Sequence, residues 1–321
     1  MFGPLRWSWS WLSGTGVLLL AMLAPPASAS VTVLVGEPFG SFGAMMPNGH
    51  TSIYLDRICA DGPTKLRMCH PGEPQGVVVA RYFHIGDLDW IATPPLEFLY
   101  AADRASEIPA SATDAQVEAL RQAYRARYLQ AAMPAEAENA KAWEEWRETA
   151  GMAYIRRFWG YELATTREQD ERLVAALNAA PNRRRYSVIR ANCANFAADI
   201  VNFYYPRTVR ADHLSDLGIL SPKQVARRVA TYGKKHPEAE LKVIEIAQTP
   251  GTLPRSKPVR GGAEGFLKTK RYLAPLLVVQ PEVVIGLTAA YLDRGRWQIG
   301  RGAEVVGPEE FEPVPGVVSS R

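Results

Sequence analysis

Gly49-His50-Thr51-Ser52-Ile53-Tyr54-Leu55-Asp56 is the stretch from which the architecture can be read. Thr51, Ile53 and Leu55 fall on one side of an extended chain, and His50, Ser52, Tyr54 and Asp56 on the other. That period of two describes a strand with a packed face and a more polar one. Before it, residues 31–35 (VTVLV) form a short β-branched run, followed by Gly- and Pro-rich punctuation as far as Gly49. After it, residues 65–70 and 76–85 read as the next strands, parted by Pro71-Gly72-Glu73-Pro74. This meander is the first half of a sheet.

From 113 to about 180 the composition turns to Ala, Glu, Gln and Arg. Leu120, Tyr124 and Tyr128, then Trp143, Trp146 and Met152, recur at helical spacing. Thr113 with Gln116, and Thr166 with Gln169, have the pattern of capping boxes. The region is expected to be a helical insertion whose aromatic stripe is core. Residues 186–190 (YSVIR) read as a strand returning to the sheet, and 193–204 as a helix stopped by Pro206. Phe196, Ala197, Ile200, Val201 and Tyr204 supply that helix with an apolar stripe. A helix over 221–232, a strand over 241–246 and a Pro/Gly-rich linker over 249–265 follow. The largely apolar tail 272–292 is long enough to span a bilayer, but Gln280-Pro281-Glu282 sits at its middle, where hydrocarbon least tolerates charge. A buried helix pair or strand pair is the expectation there, with a membrane helix as the alternative and peripheral membrane contact through 272–292 as a candidate partner interaction.

The first 29 residues are excluded from the fold. Arg6, the apolar run VLLLAMLA and Ala27-Ser28-Ala29 have the order of a secretory signal peptide. The expected organisation is 1–29 signal peptide, 30–210 core domain carrying the insertion, and 211–321 a C-terminal extension. Charged residues at 22%, hydrophobic ones at 47% and a net charge of +4 describe an ordinary globular protein and give no reason to invoke nucleic acid. Three cysteines are present. Cys59 and Cys69 flank a turn between two strand-like runs, where an oxidising compartment would keep a bridge. Cys193 is then odd, either an inert core residue or a reactive one.

Asn192 is a good N-cap, so Cys193 opens an amphipathic helix. The positive end of the helix dipole favours thiolate over thiol, and a thiolate attacks carbonyl carbon without a metal. His50 is the natural base and His70 the first choice for the group that orients it, with His84 and Asp56 as rivals. A metal site built on His50, His70 and His84 is less favoured because the spacing is not that of a ligand set. Asp87-Leu88-Asp89 reads as a solvated turn.

These motifs carry a resemblance. Gly49-His50-Thr51-Ser52-Ile53-Tyr54-Leu55 resembles the histidine strand of the permuted NlpC/P60 group of papain-like proteins, and Asn192-Cys193-Ala194-Asn195-Phe196 its Asn-Cys helix start. Tyr161-Glu162-Leu163, residues 165–177 and Tyr186 before Asn192-Cys193 are similar to the DUF4105 family, which includes a lipoprotein intramolecular transacylase. The resemblance implies an α+β fold with an antiparallel sheet packed on the Cys-bearing helix. It also implies Cys193 as nucleophile, His50 as base and His70 as the third residue, with no cofactor or metal. The implied activity is an exported cysteine-dependent hydrolase or acyltransferase of the cell envelope. The resemblance does not carry a substrate class; peptidoglycan peptides and lipid or lipoprotein acyl groups are the candidates compatible with the expected envelope compartment. A non-catalytic envelope binding protein on the same fold is the alternative.

Overall fold

A computed structural model describes residues 29–40, 47–73, 76–83, 85, 88–130, 149–184, 186–211 and 218–312. Residues 1–28 of the expected signal peptide, Trp143 and Trp146, and His84 lie outside these residues, whereas Ala29, placed at the end of that segment, opens the first strand.

The protein is a mixed α+β fold around one seven-stranded sheet. Strand β1 (Ala29–Gly36) lies at its centre and β2 (His50–Leu55) pairs with it antiparallel. The hairpin β3 (Ile58–Ala60) and β4 (Leu66–Met68) forms a separate two-stranded sheet, closed by the Cys59–Cys69 disulfide. Strands β5 (Val77–Ala80) and β6 (Ile91–Thr93) extend the main sheet beyond β2. Helix α1 (Pro95–Tyr100) and helix α2 (Asp114–Tyr124) follow, the second opened by the Thr113/Gln116 capping box. Strand β7 (Phe158–Thr165) runs along the other side of β1, and α3 (Arg167–Ala179) starts at the Thr166/Gln169 box. Helices α4 (Cys193–Tyr204) and α5 (Pro222–Lys235) come next, then strand β8 (Lys242–Ile246). The chain ends in α6 (Gly262–Lys268), α7 (Lys270–Val279), α8 (Pro281–Ala290) and the short β9 (Glu304–Val305). The sheet order is β6-β5-β2-β1-β7-β8-β9, antiparallel except for β8 with β9. The stretch beyond 211, read as an extension, thus supplies two strands to the same sheet.

Alternation sorts the two faces. Val31, Val33, Val35, Ile53, Leu55, Val77, Val79, Tyr161 and Leu163 pack with α4 and α5 in one buried cluster. Leu34, Tyr54, Val78, Phe158 and Ile246 point the other way, into a cluster with α1 and residues 152–155. Both faces are covered, so even Thr51 and Ser52 are fully buried.

Three expectations need correction. The helical insertion does not run unbroken to 180, because FWGYELAT within it is a strand paired with β1 over eight residues. Its Gly160 allows the neighbouring strand to close in, since a Cβ there would sit 2.4 Å from the Ile244 side chain. Residues 186–190 form a turn closed by a bridge between Ser187 and Ala191, outside the main sheet. The tail is neither a buried pair nor one long helix. It breaks at Gln280, ahead of Pro281, a position where proline disfavours helical geometry. No helix among the described residues is long and apolar enough to cross a membrane.

Candidate active site

Helix α4 begins where sequence placed it. Asn192 Oδ1 accepts the Asn195 backbone N–H at 2.8 Å, and Asn195 Oδ1 accepts that of Asn192 at 3.1 Å, a reciprocal box. The Asn192 amide also donates to Val188 O at 2.8 Å and Leu220 O at 3.1 Å. One buried side chain therefore fixes the helix start to the preceding turn and to the segment that leads into α5. Cys193 follows at the first helical position, 6% exposed.

The direction of α4 decides which residues share an end of the molecule with that thiol. At its far end, Tyr204 donates to Asp170 at 2.9 Å, and Asp170 also accepts from Thr165, which pairs with Ala29 at the foot of the sheet. At its near end, Arg81 Nη1 donates to Asn192 O at 3.4 Å. Arg81 immediately follows β5, whose register (Leu55 with Val77, Ile53 with Val79), carried on past the last paired residues, would set Thr51 opposite Arg81 and His50 opposite Tyr82, in keeping with the His50–Tyr82 ring contact. Hence α4 and β2 both start at the same edge of the sheet, with Cys193 and His50 at that edge.

The Arg81-Tyr82 pair is the local bracket. Arg81, 2% exposed, is held by a bidentate ion pair to Asp89 (2.6 and 2.9 Å), and its guanidinium lies over the Phe196 ring at 5.0 Å. Tyr82 stacks on His50 with ring centroids 5.0 Å apart and 14° between planes. Two adjacent residues thus grip the α4 start and the His50 ring. Nothing in the sequence marked either one, and Asp89, read as part of a solvated turn, is the counter-ion of a buried arginine. His50 Nε2 is sealed from solvent. Alternation directs His50 with Ser52 and Tyr54, on the side away from α4. Helix α4, which carries Cys193, therefore covers one face of the sheet while His50 is directed to the other, both at the top edge.

Gly49 shapes that edge. Its φ is +74°, and a Cβ there would lie 2.2 Å from Gly36 O, so only glycine lets the two strand ends approach this closely.

The structure does not bring His70 to this edge. His70 follows β4, which pairs with β3 and not with β2, so it is not on the adjacent strand. The Cys69 N–H donates to Arg57 O and the His70 N–H to Glu73, which places both at the foot of β2. Five strand steps, about 16 Å, separate that foot from His50. Asp56 is at the foot too, accepting from Ser30 N and Oγ. Burial pushes its carboxyl up to about 6 against the pull of those hydrogen bonds. Burial likewise raises Asp170, despite hydrogen bonds from Tyr204 and Thr165 and the charge of Arg57. Among the described residues, no group of three or more His, Cys, Asp or Glu could hold a metal ion.

No protein-family model matches the chain, and no curated relative matches it by sequence. Among solved structures, the type VI secretion system effector TseH is similar with a TM-score of 0.31 and 12% identity, over 68% of this chain and 99% of that one. A likeness at that level distinguishes neither a fold nor a chemistry.

Proposed function

We propose that this protein is an exported cysteine-dependent hydrolase or acyltransferase on a permuted papain-like fold, with Cys193 as nucleophile and His50 as its base. The observation that carries the reading is the shared edge: a capped helix start presenting Cys193, a strand start presenting His50, and Arg81-Tyr82 holding both. His50 takes the thiol proton, and the Cys193 sulfur attacks the carbonyl carbon of an amide, ester or thioester. Backbone N–H groups at the start of α4 other than that of Asn195, which the Asn192 cap takes up, face the oxyanion of the tetrahedral intermediate. Collapse breaks the acyl–heteroatom bond, and His50 returns the proton to the leaving group. The thioester then passes its acyl group to water, or to an amine or hydroxyl. A disulfide in the hairpin is compatible with an oxidising envelope compartment, where peptidoglycan peptides and lipid or lipoprotein acyl groups are the available substrates.

Alkylation of the folded protein near neutral pH, read by intact mass, tests this. Cys193 should label readily, and His50→Ala should slow labelling at least about tenfold. His70→Ala should leave the rate unchanged. Labelling that requires denaturant would refute the enzyme reading.

A second reading is a non-catalytic envelope binding protein. The deep burial of Cys193 and the phase of His50 on β2 favour it, and they would make the His50–Tyr82 stack a packing contact. An acyl probe retained by the wild type and lost in Cys193→Ala separates the two.

A further inference from the structure

Of the twelve large hydrophobic side chains exposed among the described residues, seven fall between 266 and 292. They gather at the corner where α7 meets α8: Leu277 (51% exposed), Val278 (83%), Val279 (73%), Val283 and Ile285 (71%). Scattered single hydrophobics are ordinary on a protein surface, but a contiguous group of this kind marks an interaction site.

The wider stretch that contains this segment is strongly cationic. Residues 255–301 hold nine Lys and Arg against three Asp and Glu, a net of +6 in a chain whose total is +4. The remainder of the protein is therefore net negative. Lys270 and Arg271 stand at the start of α7, and Arg296 and Arg301 beyond α8. None of these four makes an ion pair among the described residues. Arg296 and Arg301, with Lys234 and Trp297, also line a cavity of about 310 Å³.

The base of this unit is fixed. Lys223 of α5 makes a 2.6 Å ion pair with Glu264 of α6 and donates to Gly295 O at 3.1 Å. Helix α8 returns to pack on α6, with Leu287 its one buried side chain. Each of α7 and α8 has ten residues, about 15 Å of helix. That is too short to cross a bilayer and comparable to the depth of one leaflet.

We propose that the α7–α8 corner docks on an anionic lipid surface. The valines, Leu277 and Ile285 enter the boundary between headgroups and acyl chains, while Lys270, Arg271, Arg296 and Arg301 lie at headgroup level. Charge selects this occupant: an apolar corner backed by uncompensated cations matches negative headgroups. Glu282, exposed at the first turn of α8, opposes the docking and limits its depth. The proposal does not depend on the chemistry of Cys193.

Sedimentation of the purified protein with phosphatidylcholine vesicles, with and without phosphatidylglycerol, tests it. Binding should require phosphatidylglycerol and weaken with salt. Lys270→Gln with Arg271→Gln should lower the partition coefficient roughly 30-fold. Val278→Asp with Ile285→Asp should abolish binding, and Glu282→Gln should strengthen it, with the denaturation midpoint unchanged in each. Absence of binding to either vesicle, or full binding by the Val278/Ile285 variant, would overturn the proposal. So would a concentration-dependent dimer that this variant dissolves, because a second copy would then occupy the corner.

Discussion

Helices α4 and α8 are both rich in Ala, Val and Ile, yet eight of twelve residues are buried in α4 and one of ten in α8. Composition does not separate them; arrangement does. α4 starts on a reciprocal Asn cap, and its stripe of Ala194, Ala197 and Val201 meets a sheet face made of Val33, Ile53 and Val79. α8 starts at a proline with no side-chain cap, its apolar residues spread round the helix, and its main neighbours among the described residues are α6, α7 and the turn after it. A helix apolar all round demands cover on every side, and the described part of this chain provides it on one.

The sharpest way to break the comparison is truncation. Phe196→Ala removes a ring packed between the sheet and the Arg81 guanidinium, and should cost about 3–5 kcal/mol in urea denaturation. Loss of under 1 kcal/mol would mean that α4 is as loosely held as α8.

The two ends of β2 give the next test. The top edge is held by packing and hydrogen bonds, the foot by a covalent bridge across ten positions. Replacing both Cys59 and Cys69 with alanine should lower stability by about 2–4 kcal/mol. Because the bridge and His70 lie at the foot, the alkylation rate of Cys193 in the folded fraction should stay as it was. A parallel fall in that rate would show the two ends to be coupled.

The body should also respond to pH where the α7–α8 unit does not. Burial raises Asp56 from 3.8 to about 6 and Glu97 from 4.5 to about 7. A carboxyl group whose folded pKa is raised binds more protons folded than unfolded, so its stabilisation is complete below the unfolded value and is lost as pH rises through the folded one. Stability should therefore increase on acidification from about pH 7 to pH 5, by roughly 1–3 kcal/mol. Asp56→Asn and Glu97→Gln should each flatten the profile, measured as urea midpoint against pH. A profile that falls over this interval would contradict the burial of both groups.

What was legible in the chain follows the same division. The His50 strand, the two threonine caps, the Cys59–Cys69 pairing and the Asn192 helix start all rest on local rules of alternation, capping and hairpin spacing, and all appear in the structure. β7 was hidden because Tyr161-Glu162-Leu163-Ala164 sits in a helix-rich neighbourhood, and its strand state comes from eight pairings with β1 more than a hundred residues away. His70 was misplaced for a related reason. Reading strands in succession makes β4 the neighbour of β2, whereas β5 takes that place and β3–β4 folds out as its own hairpin. Asp89 reads as part of a solvated turn and Arg81 only as one residue of a strand-like run, and it is the return of α4 over the end of β5 that makes them a buried pair at the site.

The smallest expected effect falls on the most conspicuous side chains. Ile285 and Val278 are large and apolar, and a reading by residue type alone would put them in the core. Both are well over half exposed, so Ile285→Ser or Val278→Ser removes little buried area and leaves no cavity. Each should shift the urea midpoint by no more than the equivalent of about 0.5 kcal/mol, against several for Phe196→Ala. A cost near 2 kcal/mol at Ile285 would mean that the corner is covered in solution and that α8, like α4, is a packed helix. An unchanged midpoint leaves the corner as surface, where its apolar residues have no role in holding the fold together.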